Sequence, residues 1–214
     1  MKQILIAGAT GLIGSTAVHL AIADGRFAKV ISISRKPLGV DHPKLEQWCA
    51  TDLLSALRSQ PVDAVLCCLG TTMRNVGGDK AKFIHVDKDL VLGLASWAKS
   101  HGVPVFAVVS AIGADRASRI FYNRVKGEME MELKAIGLPV LHIFHPSILT
   151  GPRDEQRLGE RAGIAVMRLI SALLPSRYKP MPHDVLAKAL LNSVFEPQGG
   201  THLFSAINAL AARS

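Results

Sequence analysis

The chain opens on an apolar run, Gln3-Ile4-Leu5-Ile6-Ala7, that breaks directly into Gly8-Ala9-Thr10-Gly11-Leu12-Ile13-Gly14. Three glycines at that spacing, between a strand-like and a helix-like stretch, leave few folds open. Each glycine has its own use. Gly8 permits a tight turn, Gly11 lets the backbone approach a pyrophosphate, and Gly14 lets the helix pack closely on the strand. The helix N-terminus then offers free N–H groups and a partial positive charge. The pattern points to dinucleotide binding, with Gly8, Thr10, Gly11, Leu12, Ile13 and Gly14 along the phosphates.

The rest of the chain supplies the frame that this reading needs. Strands are expected over residues 3–7, 29–34, 45–49, 63–69, 103–110 and 140–145. Helices are expected over 12–24, 81–100 and 118–136, the last with Ser118 as N-cap and Gly137 as its stop. Strands alternating with helices of this length build βαβ units, and near-continuous apolar strands fit a parallel sheet covered on both faces. The expectation is an α/β, doubly wound parallel Rossmann sheet in a single domain. Its cofactor-binding core covers residues 1–145, and 146–214 form a small C-terminal lid or substrate-side lobe. In that lobe, 151–161 read as an exposed charged loop, with helices to 174 and over 183–195 and a last strand near 201–205.

Hydrophobic residues make up 49% of the 214, which excludes a disordered chain. The net charge of +8 favours anionic partners, among them nucleic acid, an anionic membrane or a phosphorylated small molecule. No apolar stretch has membrane-spanning length, and no secretory signal is expected. Cys49, Cys67 and Cys68 form no disulfide framework, so a reducing, cytoplasmic setting is expected.

After the second strand, the adenosine ribose should meet Ser34-Arg35-Lys36. A carboxylate there would bind a free 2′-hydroxyl. A guanidinium instead binds a 2′-phosphate with two charge-assisted hydrogen bonds. Arg35, assisted by Lys36 or Ser34, therefore argues for NADP(H). Tyr122 and Lys126 stand four apart on one helix face. A nearby ammonium lowers the phenol pKa, as a proton donor to a carbonyl requires near neutral pH. Ser110 closes the fifth strand at the sheet's carboxyl edge, where it can orient a substrate oxygen.

With these residues in place, the chain resembles the atypical short-chain dehydrogenases/reductases, and within them the Tat-interacting-protein-like oxidoreductases. The residues that carry this are the Gly8–Gly14 loop, Cys67-Cys68-Leu69-Gly70-Thr71-Thr72, Val86-Asp87-Lys88-Asp89, Ser110-Ala111-Ile112-Gly113-Ala114-Asp115 and Tyr122 through Glu128. His145-Pro146-Ser147 and Gly151-Pro152-Arg153 extend it. The resemblance implies that Ser110, Tyr122 and Lys126 are the catalytic group. It also implies that Leu69, Gly70 and Thr71 run along the cofactor and that Asp52 contacts adenine. Many of these enzymes carry an Asn on the helix after the fourth strand to complete a proton relay; this chain offers Asp87.

Other features are weighed down. Cys67-Cys68 on a buried strand reads as packing rather than a redox pair. His142 and His145 point to opposite faces, and no His, Cys or carboxylate group has metal-ligand spacing, so no metal is expected. Gly-x-Ser-x-Gly is absent, which removes serine-hydrolase chemistry. The charges over 153–161 are mixed in sign, and Trp48 and Trp97 form no stacking array, so no specific nucleic-acid partner is expected. Met129 and Met131 read as helix-face residues. The resulting expectation is an NADP(H)-dependent oxidoreductase of a small carbonyl or alcohol substrate. The alternative is a non-catalytic NADP(H)-binding sensor or regulatory protein. Monomer and homodimer are equally compatible with the sequence.

Overall fold

The opening apolar run forms β1 (Lys2–Ala7), whose last four residues are fully enclosed. β1 feeds through the glycine loop into α1 (Leu12–Ala23), which buries Ile13, Gly14, Ala17, Val18 and Ala21 on one stripe. β2 (Phe27–Ser34) and β3 (Leu45–Cys49) then extend the sheet on one side of β1. β4 (Ala64–Cys67), β5 (Val105–Val109), β6 (Val140–Phe144) and β9 (Gly200–His202) extend it on the other. The order is β3-β2-β1-β4-β5-β6-β9 with every pair parallel. The strand order reverses between β1 and β4, the place where doubly wound sheets bind ligands. The structure is a computed structural model and describes residues 1–151 and 179–213.

Two apolar layers cover the sheet, as parallel strands require. One is built on α1 together with α5 (His183–Ser193) and α6 (Phe204–Ala211), around Ile4, Ile6, Phe27 and Phe144. The other joins α3 (Leu90–Ser100) and α4 (Phe121–Ile136) to Leu5, Ile31, Trp48 and Phe106. Residues 183–211 therefore complete the sandwich itself. β9 is its seventh strand and α5 packs in the same layer as α1. A short parallel pair, β7 (Leu149–Thr150) with β8 (Met181–Pro182), ties the chain before α5 to the end of β6.

Several expectations shift. The long helix over 81–100 is three pieces: α2 (Lys80–Ile84), a π-helical turn over His85–Asp89, and α3. α4 begins at Phe121, three residues after Ser118. Ser118 Oγ instead accepts the Ile120 N–H, an ST-type turn that leads into the helix. Gly137 ends α4 in the left-handed region, φ 70°. The last strand ends at His202, and 204–211 are the helix α6. The loop and first helix of the expected lobe, over 152–178, lie outside the described residues.

Candidate functional site

The glycine loop sits at the carboxyl end of β1, against the end of β4. Gly8 has φ +79°, and a Cβ there would fall 2.6 Å from the Cys68 carbonyl oxygen. A Cβ at Gly14 would fall 2.2 Å from the Gly8 carbonyl oxygen. Only glycine lets loop, helix and strand close on each other in this way. No side chain caps the N-terminus of α1 and its first turn holds no acid. Its first N–H groups and positive dipole end suit an anionic group. Thr10 and Gly11 are exposed along this loop. These features fit a bound pyrophosphate.

At the end of β2, Arg35 and Lys36 are both exposed, while Ser34 is buried and donates its hydroxyl to the Lys36 carbonyl at 2.6 Å. Ser34 thus shapes the turn that holds Arg35 and Lys36 at the surface. Beside them, α1 and the loop 37–40 bound a cleft of about 290 Å³ lined by Ala9, Thr10, His19 and Leu38 among others. Asp52 is exposed past the end of β3, where its Oδ1 accepts the Leu54 N–H at 3.3 Å.

The opposite end of the site is built on α4. Tyr122, Lys126 and Glu130 fall four apart and so share one stripe. Lys126 is 3% exposed, and its Nζ lies 2.8 Å from Asp87 Oδ1 on the π-helical turn. Asp87 Oδ2 accepts the Thr71 N–H at 2.8 Å. The ion pair is thereby fastened to the Leu69-Gly70-Thr71 segment that follows β4. A Cβ at Gly70 would lie 3.5 Å from Asp87 Oδ1 and 3.9 Å from Lys126 Nζ. Burial works against the Lys126 charge, but Asp87 outweighs it, with help from Tyr122, and holds the ammonium above the ordinary lysine range.

Tyr122 stands at the mouth, partly exposed, its ring edge-on to Phe83 at 5.8 Å. Its phenol is pushed up rather than down. Burial raises it, Lys126 lowers it, and Asp87 raises it again. The acidified tyrosine expected from Lys126 alone is therefore corrected: burial first, and then the carboxylate beside the lysine, outweigh the ammonium. Ser110 is 4% exposed and donates its hydroxyl to Glu130 Oε1. His145 Nε2 lies 2.7 Å from the same carboxylate oxygen. The sequence pattern singles out neither Glu130 nor His145 as a partner of Ser110. The available signal was a carboxylate eight residues after Tyr122 on the Tyr122–Lys126 stripe. The buried Cys67 thiol is pushed up by desolvation to about 11, and burial also pushes up Cys68.

Sheet order, open helix N-terminus and the Tyr–Lys stripe define a nucleotide-binding Rossmann protein of the dehydrogenase/reductase type. The profile of the NAD(P)H-binding family matches residues 8–164. The chain belongs to that family, in its atypical short-chain dehydrogenase/reductase branch with the Tat-interacting-protein-like members. It is 32% identical over 212 residues to Protein HTATIP2 of Rattus norvegicus, a match covering 93% of this chain and 84% of that one. It is 34% identical over 164 residues to Protein FMP52, mitochondrial, of Eremothecium gossypii, covering 76% of this chain and 73% of the relative. Among solved structures, the enzyme WbmH of Bordetella bronchiseptica in complex with NAD+ superposes with a TM-score of 0.67. It has 18% identity and covers 99% of this chain and 79% of WbmH. That likeness is one of fold.

The cytoplasmic setting expected from the cysteines is overturned by these comparisons, because the fungal relatives are named as mitochondrial proteins. Three unpaired thiols speak for a reducing environment, and such an environment is not particular to the cytoplasm. No helix among the described residues is long and apolar enough to cross a membrane.

Proposed function

We propose that the protein is an NADP(H)-dependent oxidoreductase acting on a small carbonyl or alcohol substrate, with Ser110, Tyr122 and Lys126 as its reactive group. The observation that carries this reading is the buried Lys126, one turn from Tyr122 and tied through Asp87 to the Gly70–Thr71 segment at the sheet's carboxyl edge. A nicotinamide cofactor, when bound, supplies or accepts the hydride. The chain does the rest. The Gly8–Gly14 loop and the N-terminus of α1 hold the pyrophosphate, with Thr10, Leu12 and Ile13 alongside. Arg35 and Lys36 take the 2′-phosphate, and Asp52 borders the adenine. Tyr122 gives its proton to the substrate oxygen, Lys126 holds the ribose and the local charge, and Ser110 contacts the same oxygen. Residues 1–145 carry the cofactor contacts, and the segment from residue 146 that follows β6 at the sheet's carboxyl edge borders the substrate.

A second reading, an NADP(H)-binding sensor without turnover, is favoured by the commitment of the Ser110 hydroxyl to Glu130. Calorimetric titration with NADPH and NADH, followed by turnover across a carbonyl panel, separates them. Arg35→Ala is expected to weaken NADPH about tenfold to a hundredfold, the worth of a charge-assisted hydrogen bond or two, and to leave NADH unchanged. Equal NADPH binding in the variant would refute the 2′-phosphate assignment. Tyr122→Phe is expected to bind NADPH normally and lose turnover; a wild-type protein that binds but never turns over would favour the sensor.

A further inference from the structure

The lysine of a Tyr–Lys pair is ordinarily the positive charge that makes the phenol more acidic. Here that charge has its own counter-ion. Asp87 is 1% exposed, 2.8 Å from Lys126 Nζ, and fixed from behind by the Thr71 N–H. Its placement comes from the π-helical turn over His85–Asp89, an extra residue per turn that swings position 87 inward between two regular helical segments. Such turns often mark functional positions. An isolated buried carboxylate would be expensive, so the two charges hold each other in place. The neighbouring Lys88 is drawn away to Glu128 and Glu132 and does not join them.

We propose that Asp87 is a positioning residue whose ion pair with Lys126, braced by the Thr71 N–H, offsets the lysine's charge beside Tyr122 and so favours the phenol with which carbonyl reduction begins over the phenolate. Two charged groups and burial bear on the phenol. Lys126 lies one turn along α4, Asp87 faces it from the π-helical turn, and burial acts through the packed rings, of which Phe83 of α2 is one. Among the described residues, Cys67 on β4 also bears on the pair, and it is neutral, its thiol held at about 11. Burial and Asp87 together outweigh Lys126, and the phenol lies above its ordinary value.

The direction of reaction follows, and it rests on the oxidoreductase reading above. In reduction, the substrate carbon gains a hydride from reduced nicotinamide and its carbonyl electron pair moves to oxygen. The Tyr122 O–H bond breaks as the oxygen takes that proton, and water returns a proton to the phenolate. Reduction thus starts from the phenol that the site keeps. Oxidation starts from the phenolate, the form that Asp87 disfavours.

The test needs no substrate. Tyr178, the only other tyrosine of the 214 residues, is first replaced by Phe. The phenolate absorbance of Tyr122 is then titrated with base. Asp87→Asn is expected to lower the midpoint by about one pH unit or more, the usual reach of a charge at this distance. Because Asp87→Asn strands a buried ammonium, the pair Lys126→Met and Asp87→Asn/Lys126→Met provides a second comparison without it. There the double variant is expected to titrate below the single one. An unchanged or raised midpoint on losing Asp87, in either comparison with folded protein, would overturn the proposal. Absence of turnover together with the expected shifts would instead defeat the oxidoreductase reading and leave Asp87's role intact.

Discussion

A thiol reacts as its thiolate, and the three cysteines sit in three different surroundings. Cys49 is exposed at the end of β3. Cys67 is fully buried and Cys68 mostly so, and desolvation pushes both above the ordinary thiol range. One thiol per chain is therefore expected to react with a neutral-pH disulfide reagent in the native protein, and three after denaturation. Rapid reaction of two or three native thiols would contradict the packing role of Cys67-Cys68. At this scale the sequence was most informative where the chemistry is local. The glycine loop and the Tyr122–Lys126 pair each lie within a few residues, so spacing alone exposes them. Asp87 and Glu130 were harder, because their partners lie 39 and 20 residues away, as Asp87–Lys126 and Glu130–Ser110. Asp87 stood out in the sequence only as a substitute for Asn. That its charge would offset Lys126 requires knowing that both are buried together.

Elements were legible where periodicity is strong and burial two-sided. The expected strand at 45–49 coincides with β3, and the β1–α1 boundary falls where the glycines place it. The break at His85–Asp89 was not legible, since a one-residue excess barely disturbs a helical apolar pattern. The C-terminal edge was misread in a different way. Phe204 continues the apolar run of the last strand, but it starts α6 because its layer packs on α1 and α5. The edge strand β9 carries a distinct liability. His202 Nε2 lies 2.9 Å from His142 Nδ1, and the His202 ring also packs tilted against Phe144 at 4.8 Å. Burial lowers both imidazoles, His202 to about 4 from an ordinary 6.5. The unfolded chain therefore binds protons in a range where the folded one does not. Their contribution is full above pH 6.5, fades as pH falls below that value, and is lost by about pH 4. A series of thermal melts should show the melting temperature falling between pH 7 and pH 5. His202→Phe, which keeps the ring contact and removes the titration, should flatten that fall. An equal fall in the variant would mean that other groups govern acid stability.

The charge of the whole molecule, +8, first allowed nucleic acid, membrane and nucleotide as partners. The structure divides those charges by environment, and the division has a measurable consequence. Lys126 is enclosed and neutralised by Asp87, so salt reaches it poorly. Arg35 and Lys36 are exposed, so their attraction for a phosphate acts partly through solvent and is screened. NADPH and NADH differ by the one phosphate proposed to meet those two residues, while their pyrophosphates meet the same α1 N-terminus. Raising ionic strength from about 0.1 M to about 1 M shortens the Debye length from about 10 Å to about 3 Å. Over that range NADPH affinity is expected to fall several-fold more than NADH affinity. In Arg35→Ala the two salt dependences should converge, because the remaining contacts are common to both cofactors. Parallel slopes in the wild type would mean that the excess charge acts as a diffuse field around the molecule and that the 2′-phosphate has no local partner. Diverging slopes that converge in the variant would trace the cofactor-specific part of that field to one guanidinium at the end of β2.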